Sequence, residues 1–216
     1  MGQLLTANVA TSLYWLGRYL ERIESTLYEI KKAYDKVIDV DKDAGVKVYK
    51  KFDIDLQYTD AIDFLDKAIK GEHSANLLNV LKNARENAII SREYIDELAF
   101  GEIIELNEIA QRISRSNGRI DCKDMDYAMS LISEIWGAQT KRNHRKVSDY
   151  FLKLGKLVEE IDFRLRFGKG QKTTDIILEE VHSIFKFLNP EINIKKFDNK
   201  DIMGSIYKQI DELIVD

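Results

Sequence analysis

Proline is almost missing from this 216-residue chain, with Pro190 as the only one, and cysteine is represented by Cys122 alone. A proline inside a helix costs about 3 kcal/mol, so its near-absence removes the commonest helix breaker and permits long helices. One cysteine excludes an internal disulfide and any multi-cysteine zinc cluster. It fits a reducing, cytoplasmic compartment. No run approaches the roughly 20 apolar residues that a membrane-spanning helix requires, which argues against a membrane partner. Excess charge is lacking too: 37 acidic residues against 33 basic ones leave a formal net charge of −4. A mixed surface of that kind lacks the basic field that nucleic acid demands. A glycine-rich phosphate loop is also absent, so nothing in the chain by itself announces ATP binding.

What is present is helical periodicity. Leu13, Leu16, Leu20, Ile23, Leu27 and Ile30 recur three and four apart, predicting a helix from residue 10 or 11 to about residue 37. Residues 39–58 lose the pattern and read as an irregular insertion. Thr59 or Asp60 caps a short helix to residue 69, and Ser74 caps a longer one to residue 98. A helix over 102–115, a turn at Ser116-Asn117-Gly118, and a helix capped by Asp121 or Asp124 come next. Val147, Phe151, Leu154, Val158, Ile161 and Leu165 restore the stripe. Two C-terminal helices within residues 170–216 flank Pro190. The predicted fold is all-α, a single-domain helical bundle of six or seven helices.

One helical motif occurs twice. Gly17 is followed four and seven positions later by Glu21 and Glu24, and Gly155 by Glu159 and Asp162 at the same spacing. Each glycine lies on the flank of an apolar stripe, where it admits a second helix, and the acids lie one and two turns further on. Up to four carboxylates then gather beside a core and require neutralisation. Arg85 and Arg92, seven apart on the predicted 74–98 helix, fall inside its apolar sector and are the expected partners; the alternative leaves their heads in water. Trp136 reads as a core residue. A di-iron or di-manganese bundle needs two Glu-x-x-His helices. Only Glu179 to His182 has that spacing, so no metal or other cofactor is expected.

The Leu13-Tyr14-Trp15-Leu16-Gly17-Arg18-Tyr19-Leu20-Glu21-Arg22 segment with Glu24, the Ala84-Arg85-Glu86-Asn87-Ala88 segment, Leu106-Asn107, and Leu154-Gly155 with Glu159, Asp162 and Arg164 together resemble the alpha-E family of bacterial helical proteins. The chain departs from the family pattern where Lys156 and Glu160 replace arginines and Ile103 replaces a tryptophan. The resemblance implies that Arg18, Glu21, Arg22, Glu24, Arg85, Glu86, Asn87, Arg92, Asn107, Glu159, Asp162 and Arg164 form a polar cluster or ligand-binding site. It further implies a helical companion of circularly permuted ATP-grasp-type amide ligases, acting in peptide synthesis or modification, and leaves a homo-oligomer open. The competing expectation is an enzyme that acts on an amino acid or peptide amine through the Glu/Asp/Arg cluster.

Overall fold

The computed structural model describes residues 5–115, 120–141, 146–191, 197–198 and 201–214. Among them are nine α-helices and no strand: α1 Ala7–Asp39, α2 Ala44–Tyr49, α3 Ala61–Lys70, α4 Leu77–Ile90, α5 Glu97–Arg115, α6 Cys122–Thr140, α7 Val147–Phe167, α8 Gln171–Leu188 and α9 Ile202–Leu213. The all-α prediction holds, but six or seven helices is too few. The Ser116-Asn117-Gly118 turn lies outside the described residues.

The first extra helix comes from the supposed irregular insertion. There α2 is followed by a 3-10 turn at Lys50–Phe52. A helix this short has little intrinsic stability and is held by its surroundings. Tyr49 is fully buried, its hydroxyl donates to the Ala68 carbonyl at 2.7 Å, and its ring meets Phe52 and Phe64 edge-on. Six residues are too few to show a period, which is why the sequence pattern missed them.

The other difference is a break. The helix expected over 74–98 stops at Ile90, passes through a 3-10 turn at Arg92–Tyr94 and resumes as α5. Ser91 is fully buried where α4 ends, and both its amide and its hydroxyl donate to the Asn87 carbonyl, at 3.1 and 2.6 Å. Asp96 then caps α5, accepting from Leu98 N at 3.0 Å. At the start of α4 the cap is Asn76, which accepts from Asn79 N at 3.0 Å, and not Ser74. The predicted caps Asp60 and Asp121 are in place.

The α1 and α7 helices form the most extensive pair in the molecule. Their crossing is reciprocal. A Cβ at Gly17 would overlap the Leu152 carbonyl oxygen and crowd the Lys156 amide; one at Gly155 would overlap the Tyr14 carbonyl oxygen and crowd the Arg18 amide. Backbone thus meets backbone at both glycines, a separation only a residue without Cβ allows. Apolar residues are buried on either side of the crossing. Leu13, Leu16 and Leu20 join the core shared with α2 to α6. Tyr14 joins Leu154, Val158 and Ile161 in a second cluster with α8 and α9. The close approach therefore carries the charged flank of each helix into a confined layer.

Candidate functional site

At the crossing, Glu159 on α7 is 3% exposed and is held by two guanidinium groups from α1. Arg18, itself 4% exposed, donates through Nε at 2.8 Å and pairs through Nη2 at 2.7 Å. Arg22 donates through Nε at 2.5 Å and Nη2 at 3.0 Å, one bond to each carboxylate oxygen. Charge-assisted forks of this kind combine strength with fixed geometry. Arg18 also donates to the Tyr207 hydroxyl at 3.2 Å, and Trp15 and Tyr207 lie within 5.1 and 5.3 Å of its guanidinium carbon. Burial works against its charge, but Glu159 together with Tyr14 and Tyr207 more than restores it, so its pKa lies above the ordinary arginine value.

The matching acid on α1 is treated differently. Glu21 is buried and accepts from Ser25 Oγ at 2.8 Å, while its nearest cation is Lys156 Nζ at 3.9 Å. Burial pushes its pKa up to about 7; Ser25 and Lys156 draw it down, and Glu24 and Glu160 add like-charge repulsion. Two of the three departures from the alpha-E pattern, Lys156 and Glu160, fall beside this acid. Lys156 follows Gly155 as Arg18 follows Gly17, and Glu160 occupies the place corresponding to Arg22. Where α1 offers two guanidiniums, α7 offers one ammonium and an extra carboxylate.

That asymmetry predicts a pH dependence. An unfolded glutamate titrates near 4.5 and the folded Glu21 near 7, so the folded state binds the proton more tightly. The stability linked to this proton is complete below about pH 4.5 and is lost as pH rises through 7. Glu21→Gln keeps an acceptor for Ser25 and removes the charge. It is expected to stabilise the protein by roughly 2 kcal/mol at pH 8 and by almost nothing at pH 4, measured by urea denaturation at both pH values.

The remaining acids of the cluster are also engaged. Trp136, expected in the core, is only partly buried; its indole donates to Glu24 at 3.1 Å and its ring lies 4.2 Å from Lys156 Nζ. Asp162 accepts from Arg166 Nε at 3.0 Å, an i,i+4 pair along α7. Arg164 points elsewhere, donating to Thr174 Oγ1 at 3.2 Å and pairing with Glu160 at 3.6 Å.

The second predicted group does not join them. Arg85 pairs with Glu86 at 2.7 Å on the surface, and Asn87 donates to the Asn83 carbonyl at 2.8 Å. Exposed Arg92 lies over the Phe100 ring at 5.0 Å. Asn107 is buried on α5. The break at Ser91 takes Arg92 off α4, so the seven-residue spacing from Arg85 no longer places both on one helical face. Arg85→Ala is accordingly expected to change stability by no more than about 0.5 kcal/mol in denaturant melts, the effect of an exposed pair.

A family model described as "a predicted alpha-helical domain with a conserved ER motif" matches residues 5–186. The chain belongs to the Alpha-E family. No curated protein and no solved structure matches it. The only Glu-Arg dipeptide in this Alpha-E chain is Glu21-Arg22. Its two members part company in space, since Arg22 clamps Glu159 while Glu21 faces Ser25 and Lys156.

Two cavities flank the Alpha-E crossing. The larger, about 580 Å³, is lined by α1, α7 and α9, with Trp15, Arg18, Arg22 and Tyr207 in its wall. The smaller, about 320 Å³, includes Thr26, Phe52, Ser74 and Glu159. Arg22, Asp162 and Arg166 line both. Sequence reading missed Arg166 and Tyr207. The spacing of Arg166 from Asp162 was a usable signal, but Tyr207 arrives from a distant helix and had none. Among the described residues no three His, Cys, Asp or Glu side chains gather to hold a metal ion. His182, from the one Glu-x-x-His spacing, instead packs edge-on to Phe197.

Proposed function

We propose that this protein is a helical accessory or scaffold protein, cytoplasmic and bacterial, that works with an ATP-grasp-type amide ligase in peptide synthesis or modification. In this reading α1 and α7 are two copies of one motif, packed against each other to build a rigid polar framework. The observation that carries the accessory role is the closure of Glu159. A general base needs a lone pair within reach of a substrate proton, whereas this carboxylate is buried and spends both oxygens on Arg18 and Arg22. Glu21 and Glu24 each accept one further bond, from Ser25 and Trp136. Support for the ligase partnership comes from the family to which the chain belongs and the association that its resemblance implies. No helix among the described residues is long and apolar enough to cross a membrane, which agrees with a partner reached from solution.

Affinity capture of the tagged protein from its native host, followed by mass spectrometry, tests the partnership. An ATP-grasp-type ligase is expected among the captured proteins at near-stoichiometric yield; its absence from a sample in which the ligase is expressed would remove the proposal. The second reading, an enzyme acting on an amino acid or peptide amine, has one observation in its favour: Asp162 borders both cavities. An amine-consuming activity lost in Asp162→Asn with an unchanged melting curve would favour it.

A further inference from the structure

The larger of the two cavities at the crossing combines features that the accessory role does not use. Its volume, about 580 Å³, lies within the range of small-molecule sites, and such sites pair apolar walls with a few placed polar groups. Its lining includes the apolar and aromatic side chains Trp15, Tyr207, Ile210 and Ile214. It also includes Arg22 and Arg166, which border the smaller cavity too and whose side chains are 30% and 40% exposed. Arg22 spends Nε and Nη2 on Glu159; Arg166 spends Nε on Asp162 and holds Nη1 at 3.8 Å from Asp53. Among the described residues, Arg22 Nη1 and Arg166 Nη2 have no protein partner. Two guanidinium edges with donors to spare thus line the same opening.

We propose that this cavity binds the α-carboxylate of a free amino acid or of a peptide C-terminus, with Arg22 and Arg166 gripping the carboxylate and the Trp15–Tyr207 wall covering an apolar side chain. The charge balance favours a carboxylate over phosphate. Three guanidiniums, Arg18, Arg22 and Arg166, line the cavity with Asp162 and Asp211, but Glu159 already pairs with Arg18 and Arg22, and Asp162 with Arg166. A dianion would bring more negative charge than is left unmatched, while a single negative charge can use the spare donors and leaves Asp211 for an ammonium or amide N–H. Planar carboxylates also suit the guanidinium fork. The site stands whether or not a ligase binds the protein, because it rests on the cavity alone.

Isothermal titration calorimetry on the full chain tests it with four probes: N-acetyl-Leu-Phe, its C-terminal amide, free L-phenylalanine and inorganic phosphate. The acid peptide is expected to bind, and the amide to bind at least about tenfold more weakly, because the charge-assisted fork is lost. Arg166→Lys keeps the charge and removes the fork; it is expected to weaken the acid about tenfold, leave the amide unaffected and leave the melting curve in place. Phenylalanine binding at least as tightly as the peptide assigns the carboxylate to free amino acids, and weaker binding assigns it to peptide ends. Equal affinity for acid and amide peptides that do bind, no binding of either the acid peptide or phenylalanine by the folded protein at millimolar concentration, or displacement of the bound carboxylate by phosphate at equal concentration would each overturn the proposal.

Discussion

Glu159→Ala is expected to destabilise the protein by about 3–5 kcal/mol, the largest effect of any single substitution in the polar layer. The reason is the asymmetry between making a buried ion pair and breaking one. Moving two charges out of water carries a desolvation cost that their attraction roughly repays, but removing one partner leaves the other uncompensated. Arg18 is poorly placed to find water: it is 4% exposed, flanked by Tyr14, Trp15 and Tyr207 and committed to a carboxylate it would no longer find. Arg22→Ala should cost much less, since its side chain is 30% exposed and Arg18 still neutralises Glu159. The discriminating comparison is the double variant Arg18→Met with Glu159→Leu. It replaces the pair by apolar side chains and should recover most of the loss. Urea denaturation gives all three values from midpoints at a shared slope. A loss below about 1 kcal/mol for Glu159→Ala would mean that the pair is not sealed from water.

Gly155→Ala is the second large effect, with an expected net loss of about 3 kcal/mol, at or above the usual range for overpacking. The added methyl group would fall on the Tyr14 carbonyl oxygen and against the Arg18 amide. Both are backbone atoms of a helix interior, so no rotamer change makes room and the two helices must separate. Alanine gains about 1 kcal/mol over glycine in helix propensity, which offsets part of the strain. Gly101→Ala on α5 isolates that gain, because a Cβ there meets nothing within 4 Å; it should stabilise by roughly 0.5–1 kcal/mol. Opposite signs for the same substitution in thermal or urea melts would establish that the crossing, and not helix propensity, requires Gly155. The displacement should also disturb the Glu159 cluster, so Gly155→Ala and Glu159→Ala are expected to be non-additive.

Much of the helical order was legible because long helices write their burial into spacing. The stripes of α1 and α7 identified both helices within a few residues of their ends, and Asp60 and Asp121, each one of two candidate caps, cap α3 and α6. The matched glycines announced a close approach, and their reciprocal contacts across the crossing fulfil that reading. Partner choice was harder. Arg85 and Arg92 looked right because a seven-residue spacing returns to one face of a helix, provided that the helix continues. It does not: α4 ends at Ile90 and Arg92 stands in the 3-10 turn that follows. Arg18 and Arg22 instead reach across 137 to 141 positions to Glu159. No local pattern encodes that distance.

The sequence by itself determined the helical class, the glycines of the crossing and the presence of a carboxylate layer needing neutralisation. These follow from local spacing and from the cost of burying charge. Tertiary structure alone decided which cation meets which acid, why Glu21 and Glu159 differ despite equal spacing from their glycines, and that Tyr207 completes the wall around Arg18. Such pairings depend on how helices far apart in the chain are oriented, and the short range of hydrogen bonds makes each of them hinge on the final packing.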